Sequence, residues 1–339
     1  MRADLPKVSV IVPFKKSESC VLDCLQSIFE MNYPPEKLEV IAVDDSRDEN
    51  LAEQVVSRFP SARLLRNPVA VGCDGSKQAG IDLAGGDIVA LTDADCLVCS
   101  EWARLAAKNL ESGADAVAGP VRHPKTFLRE LVGIADFQDY QGTDHAQTNA
   151  FAGCNFAARR GILCSYGYDR RTGMRFGSDR LASWQLHVRG HRIIYDPGMI
   201  VEHRPAIGIR SILERRLRYG RKAFALRVHD PTLPGAVITR MGPLAAPAYV
   251  GYKTVKDFCS LIRAIRLGII NPWHAPLLAP ALVLFRMMDA VGIVKGQMAS
   301  KTSATETAWE SPASGRDPAG MWENPQSTMT DKPVEASYK

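Results

Sequence analysis

Ile88-Val89-Ala90-Leu91-Thr92-Asp93-Ala94-Asp95 is the run on which the reading of this chain turns. It opens with four apolar residues, two of them β-branched, as a short buried strand does. It closes on two carboxylates two residues apart. On a turn leaving a strand, both can point into one cleft. Hard oxygen ligands of this kind suit Mg²⁺ or Mn²⁺, which bind diphosphate readily. Acids on a turn can equally be solvated, so the surroundings of the run have to give it meaning.

Upstream, residues 8–12 form a β-branched apolar run that Pro13 ends. Residues 19–30 place Val21, Leu22, Leu25, Ile28 and Phe29 on one helical face. A second strand over 38–43 runs into Asp44-Asp45-Ser46. A helix over 50–59, a third strand over 62–65 and a helix over 76–84, ended by Gly85-Gly86, lead to the opening run. Near-continuous apolar strands alternating with helices predict a mostly parallel sheet covered by helices on both faces. Ligands of such sheets sit beyond the carboxyl ends of the strands. Both acidic clusters, at Asp44/Asp45 and at Asp93/Asp95, fall there.

Downstream, a helix is expected over 102–111 and a strand over 116–120. Residues 122–148 are mixed and polar, and 151–160 hold a compact Gly153-Cys154-Asn155 segment. A helix over 179–189 ends at Gly190, and strands over 192–195 and 199–201 flank Asp196-Pro197-Gly198. The main domain is placed at 1–205. Asp179, at a helix start, either caps the helix or serves as a general base. His203, after the last strand, is either structural or a third metal ligand. Asp45 either accepts from a nucleobase N–H or shapes a turn.

The chain has 339 residues, 46% hydrophobic and 23% charged, with a net charge of +5. This is an ordinary composition for a globular protein with a sizeable core. Its eight cysteines are irregularly spaced. They predict reduced thiols rather than a disulfide framework, and the lone pair Cys96/Cys99 lacks the partner ligands of a structural zinc site. The first residues lack the apolar core and cleavage site of a signal peptide, so a cytosolic catalytic part is expected. Residues 206–298 differ from what precedes them. Arg210, Arg215, Arg216, Arg218, Arg221, Lys222 and Arg227 follow a helical pattern in which Glu214 is the only acid. An uncharged stretch over 267–285 is interrupted by Pro272, Pro276 and Pro280. A basic helix followed by apolar segments predicts membrane association, kinked or interfacial rather than a simple span. Residues 299–339 are rich in Ser, Thr, Glu, Pro and Gly, and are expected to be a disordered tail.

Taken in order, these segments resemble the GT-A domain of family 2 glycosyltransferases. The resemblance rests on Val8-Ser9-Val10-Ile11-Val12-Pro13, Val43-Asp44-Asp45-Ser46, Arg66-Asn67, Gly72, Lys77-Gln78-Ala79-Gly80-Ile81 and Thr92-Asp93-Ala94-Asp95. It continues through Gly153-Cys154-Asn155 with Arg159-Arg160, and Asp179 through Asp196-Pro197 to His203. It implies an inverting glycosyltransferase that moves a sugar from a nucleotide-sugar, UDP-linked by family habit, to a hydroxyl acceptor. Cell-envelope polysaccharide or glycolipid synthesis at the cytoplasmic face of the membrane is the implied setting. The acceptor would be a glycan, a lipid-linked species or a small molecule, with no nucleic-acid partner. Residue by residue, it implies Asp45 at the nucleobase with Lys77 in support, Asp93 at the ribose or metal, and Asp95 and His203 on a divalent cation, Mn²⁺ or Mg²⁺. Asn155 would lie near the sugar, and Asp179 would be the base. Ser178 stands where the family usually has Glu, and Lys77-Gln78 where it has Arg-Asn. Gln185 and Arg189 do not form the Gln-x-x-Arg-Trp of processive synthases, which implies one sugar per encounter. Two other readings remain: a degenerate nucleotide-sugar-binding scaffold of a membrane complex, and a nucleotidyltransferase. Against the latter, Pro13-Phe14-Lys15-Lys16-Ser17 has no glycine to wrap a phosphate.

Overall fold

The computed structural model describes residues 5–15, 20–46, 48–137, 144–166, 168, 178–205 and 207–302. Its sheet is organised by β1 (Val8–Phe14), every residue of which is buried. β1 lies parallel to both β2 (Leu38–Asp44) and β4 (Ile88–Leu91), and β3 (Ala62–Arg66) extends the sheet beyond β2, also in parallel. On the other side β9 (Phe156–Arg159) runs antiparallel to β4 and to β6 (Ala116–Ala118). Then β10 (Ile193–Tyr195) lies parallel to β6, and β8 (Ala146–Gln147) closes the edge. A separate three-stranded sheet orders β5 (Cys96–Val98), β11 (Val201–His203) and β7 (Val121–Arg122).

A strand buried on both sides needs a helical layer on each, and the residues of β1 divide accordingly. Val8, Val10, Val12 and Phe14 pack in a core that includes α1 (Val21–Phe29), Val55 of α2 (Glu49–Arg58) and α4 (Trp102–Glu111). Ile11 faces the opposite core, with Ile81 of α3 (Gly72–Leu83), Leu163 of α6 (Arg160–Tyr166) and Leu186 of α7 (Ser178–Val188). This is the expected α/β architecture with helices on both faces.

Several boundaries differ from the sequence reading. Helix α3 starts at Gly72, four residues before the apolar pattern begins. Gly72 holds φ 83°, a conformation open to glycine, and a carboxylate distant in sequence caps the helix. Helices α5 (Phe127–Phe137) and α6 were not expected in their polar surroundings. The last strand is Val201–His203 rather than 199–201, because its register pairs His203 with Cys96. His203 is therefore part of the strand, not beyond it.

Residues 1–297 form one compact unit, without a break at 205, and 298–339 form a second. Of the second unit only 298–302 are described, as the end of a helix; the remainder of the expected tail lies outside the described residues. From 209 the compact unit adds α8 (Ile209–His229), α9 (Ala245–Arg266) and α10 (Ala275–Thr302) as far as residue 297. The basic residues of α8 do not all face a surface, as the membrane reading implied. Arg216 is buried, bonded to Asp136 of α5, with Asp289 of α10 at 3.9 Å. A charge so buried needs partners, and these acids supply them. Helices α8 and α10 cross where Gly220 meets Gly292. A Cβ at Gly220 would lie 1.8 Å from the Asp289 carbonyl oxygen, and one at Gly292 would lie 2.3 Å from that of Leu217. Both obstacles are backbone and neither can step aside. Gly220→Ala is expected to lower unfolding stability by about 2–3 kcal/mol in urea titration, in the range of overpacked cores.

Candidate active site

The acids at the strand ends occupy two linked clusters. In the first, Asp93 follows β4 and its Oδ1 lies 2.5 Å from the Lys77 ammonium, which α3 brings up from below. Lys77 is buried and also donates to the Gly153 carbonyl at 2.9 Å. Burial alone would depress this ammonium, but the Asp93 carboxylate outweighs it and holds the group well above the usual lysine range. Gly153 joins the next member: its N–H donates to Asp179 Oδ2 at 3.3 Å. A Cβ at Gly153 would stand 2.5 Å from the Tyr168 hydroxyl, 3.2 Å from Asp179 Cβ and 3.3 Å from Lys77 Nζ. Glycine is therefore what lets Lys77, Tyr168 and Asp179 converge. Asp179 sits half-buried in the first turn of α7, and its Oδ1 accepts from the Arg180 N–H at 2.8 Å.

In the second cluster, Asp95 Oδ2 lies 3.2 Å from His203 Nε2, brought there because β11 pairs with β5. Burial would raise the Asp95 carboxyl, but His203 holds it below the usual range. The other His203 nitrogen, Nδ1, lies 3.0 Å from His123 Nε2, and Phe137 packs against both rings. Burial, with His203 alongside, pushes His123 down to about 3, so it is neutral at pH 7. Ligand atoms of Asp95, Cys96 and His203 lie within 4.8 Å of one another. The Cys96 thiol is buried beside them, and the Asp95 carboxylate and His203 imidazole are the harder donors of the group. That pair fits a hard or borderline divalent cation.

Asp45 is buried at the end of β2. Its Oδ1 accepts from Asn67 Nδ2 and the Val71 N–H, both at 2.9 Å, and its Oδ2 from the Gly72 N–H at 3.0 Å. It thus caps α3, and Oδ2 keeps room for one more donor. The structure brings Lys77, Asp93 and Asp179 together, and Asp95 with His203. It does not bring Lys77 to Asp45. Asn155 is fully enclosed: it donates to the carbonyls of Pro120 (2.9 Å) and Met199 (2.8 Å) and accepts from Trp102 Nε1 (2.8 Å). Both amide hydrogens are used in tying loops together, so its neighbour Gly153 meets the site instead.

Sequence reasoning missed His123, Tyr168 and the Cys73 thiol, which lies 3.7 Å from Asp93 Oδ1. His123 stands alone in a polar stretch, and only the pairing of β7 with β11 reveals its place. The Tyr168 hydroxyl is buried and finds no hydrogen-bond partner among the described residues.

Comparison with known proteins gives the arrangement its context. Residues 9–166 match the sequence model of glycosyl transferase family 2. N-acetylglucosaminyltransferase of Rhizobium meliloti is 29% identical over 309 residues, covering 83% of this chain and 71% of that protein. Glycosyltransferase AglE of Haloferax volcanii is 28% identical over 125 residues, 36% of this chain; the match spans about two-fifths (41%) of that relative's length. Among solved structures, the mannosyltransferase PcManGT of Pyrobaculum calidifontis, in complex with GDP-Man and Mn²⁺, superposes with a TM-score of 0.56 at 22% identity, over 90% of this chain and 88% of that one. With the sheet order and the family match in agreement, residues 9–166 of this chain are a glycosyl transferase family 2 domain, on the GT-A fold.

Proposed function

We propose that the protein transfers a single sugar, with inversion, from a UDP-sugar to a hydroxyl acceptor of the cell envelope, working at the cytoplasmic face of the membrane. The observation carrying this reading is the convergence of Asp93, Lys77, Gly153 and Asp179, one strand-end turn away from the Asp95–His203 pair. An acid-rich turn that can hold a divalent cation is suited to hold a diphosphate through that cation, and a half-buried carboxylate beside it is suited to take a proton from a hydroxyl.

Asp95 and His203 would hold a divalent cation, Mn²⁺ or Mg²⁺. When bound, such a cation supplies charge neutralisation for the departing nucleoside diphosphate. Lys77 holds Asp93 in a fixed direction. Asp45 fixes the start of α3 and keeps a free lone pair for a nucleobase N–H. Asp179 takes the acceptor proton as the acceptor oxygen bonds to the anomeric carbon and the bond to the diphosphate breaks. The proton ends on the Asp179 carboxylate. The R. meliloti relative, by its name, transfers N-acetylglucosamine, and the Pyrobaculum protein holds GDP-Man; both are consistent with a nucleotide-sugar donor.

The test is a panel of UDP-, GDP-, CDP- and TDP-sugars, with release of the nucleoside diphosphate measured over time. Metal-dependent release from one nucleotide class supports the reading, and UDP is the class expected. No release from any donor, with or without membrane extract as acceptor source, overturns it.

A further inference from the structure

We infer that the outward faces of α9 and α10 dock flat on an anionic lipid bilayer, and that α10 lies on the membrane rather than crossing it. This deepens the membrane setting proposed above and rests on that reading. Among the described residues, Pro272–Met298 is the one helical stretch long and apolar enough to span a bilayer. Its inner face, however, is committed to the protein. Leu278, Leu282, Phe285 and Ile293 are buried in the cores shared with α5, α8 and α9. The same face carries Arg286 and Asp289, both buried. Arg286 is bonded to Asp257 of α9, to Asp289 and to the Ala135 carbonyl of α5. A spanning helix would break this lattice and carry two ions into hydrocarbon.

The outer face is different. On α10, Leu277, Leu284, Met287, Val291 and Val294 are exposed, at spacings of seven, three, four and three residues, so they form one stripe. On α9, Tyr252, Val255 and Ile262 are exposed, and Trp273 between the two helices is 87% exposed. An aromatic residue so presented is typical of the membrane interface.

Charge selects the occupant. Between 245 and 297 the two acids, Asp257 and Asp289, are buried, while Arg263, Arg266 and Lys295 are exposed. The charged surface of these helices is therefore basic. Apolar residues among basic ones alone make the pattern of an interfacial helix on anionic lipid. A second copy is disfavoured, because a two-fold contact would bring these like charges together.

The test uses the full-length protein with vesicles of phosphatidylcholine alone or with phosphatidylglycerol added. Wild type is expected to sediment with the anionic vesicles only, to be weakened by salt, and to be released by alkaline carbonate. Arg263→Gln with Arg266→Gln is expected to weaken the affinity about 30-fold, and Trp273→Ser about tenfold. All three positions are exposed, so an unchanged melting temperature is the folding control. The inference is overturned by absence of sedimentation with anionic vesicles, by variants that bind as wild type does, by retention through carbonate, or by a dimer in solution that Trp273→Ser converts to a monomer. Nucleotide binding by the same preparation separates the two claims. Retained nucleotide binding without vesicle binding sinks only the docking surface; vesicle binding without nucleotide binding sinks the proposed activity.

Discussion

Asp179→Asn is expected to slow glycosyl transfer by roughly 10²–10⁴-fold, the usual contribution of a positioned general base, while leaving donor affinity almost unchanged. The substitution is nearly isosteric. Asparagine can still accept from the Gly153 N–H at the position of Oδ2, though it loses the bond that Oδ1 accepts from the Arg180 N–H. What is lost is the negative charge and the ability to take a proton. Lys222 of α8 responds to the same charge: burial depresses its ammonium, and Asp179 is the largest opposing influence. Neutralising Asp179 therefore removes one of the negative charges that favour the Lys222 ammonium, and a modest loss of melting temperature should accompany the loss of rate. The measurement is release of nucleoside diphosphate in the presence of acceptor, set against nucleotide binding by the same variant. Transfer at the wild-type rate would move the base elsewhere. Loss of nucleotide binding together with rate would make Asp179 a donor ligand rather than the base.

Arg286→Met is the substitution with the largest expected effect on stability. The guanidinium bonds both oxygens of Asp257, at 2.6 and 2.7 Å, and one oxygen of Asp289 at 2.7 Å. It also donates to the Ala135 carbonyl at 2.8 Å. Methionine fills a similar volume but leaves two buried carboxylates without their shared cation. Breaking a buried pair from one side costs about 3–5 kcal/mol, a fall in melting temperature of about 5–15 °C. Removing Asp257 as well, in Arg286→Met with Asp257→Leu, should recover part of the loss, since apolar groups of similar volume often replace buried ion pairs without penalty. A double variant no more stable than Arg286→Met would mean that the network contributes through packing rather than through charge.

The fold was legible where burial is periodic and local. The runs that became β1, β2 and β4 are continuous and apolar because both sheet faces are covered, and they were found within a residue or two. The expected helix over 102–111 is α4, since Trp102, Ala103, Ala106 and Leu110 mark one buried face. What escaped was set by distant partners. Helix α3 starts early because Asp45, 27 residues before Gly72, caps it. Helix α5 buries Glu130 and Asp136 against α8 and the segment after α9, so its sequence looks polar until those partners are known. The site followed the same rule. Asp93, Asp95 and Asp179 could be singled out because they stand at the carboxyl ends of strands or at a helix start in the order the resemblance requires, although each alone could be a solvated turn or a cap. An amide within a loop can face a ligand or bind the loop to its neighbours, and the Asn155 side chain bonds Trp102, Pro120 and Met199, which no local pattern foretold. His123 had no local signal at all.

The central claim is a metal-dependent nucleotide-sugar site at the Asp93/Asp95 turn, and thermal shift with UDP, GDP, CDP and TDP, each with Mn²⁺, with Mg²⁺ and with EDTA, tests it most directly. Ligand at about a hundredfold excess over Kd should add about 2.7 kcal/mol of stability. The account predicts that one nucleotide, UDP first, raises the melting temperature only with a divalent cation, and that Asp95→Asn abolishes the shift. A folded protein that responds to no nucleotide, or a shift that persists in EDTA and in Asp95→Asn, would contradict it.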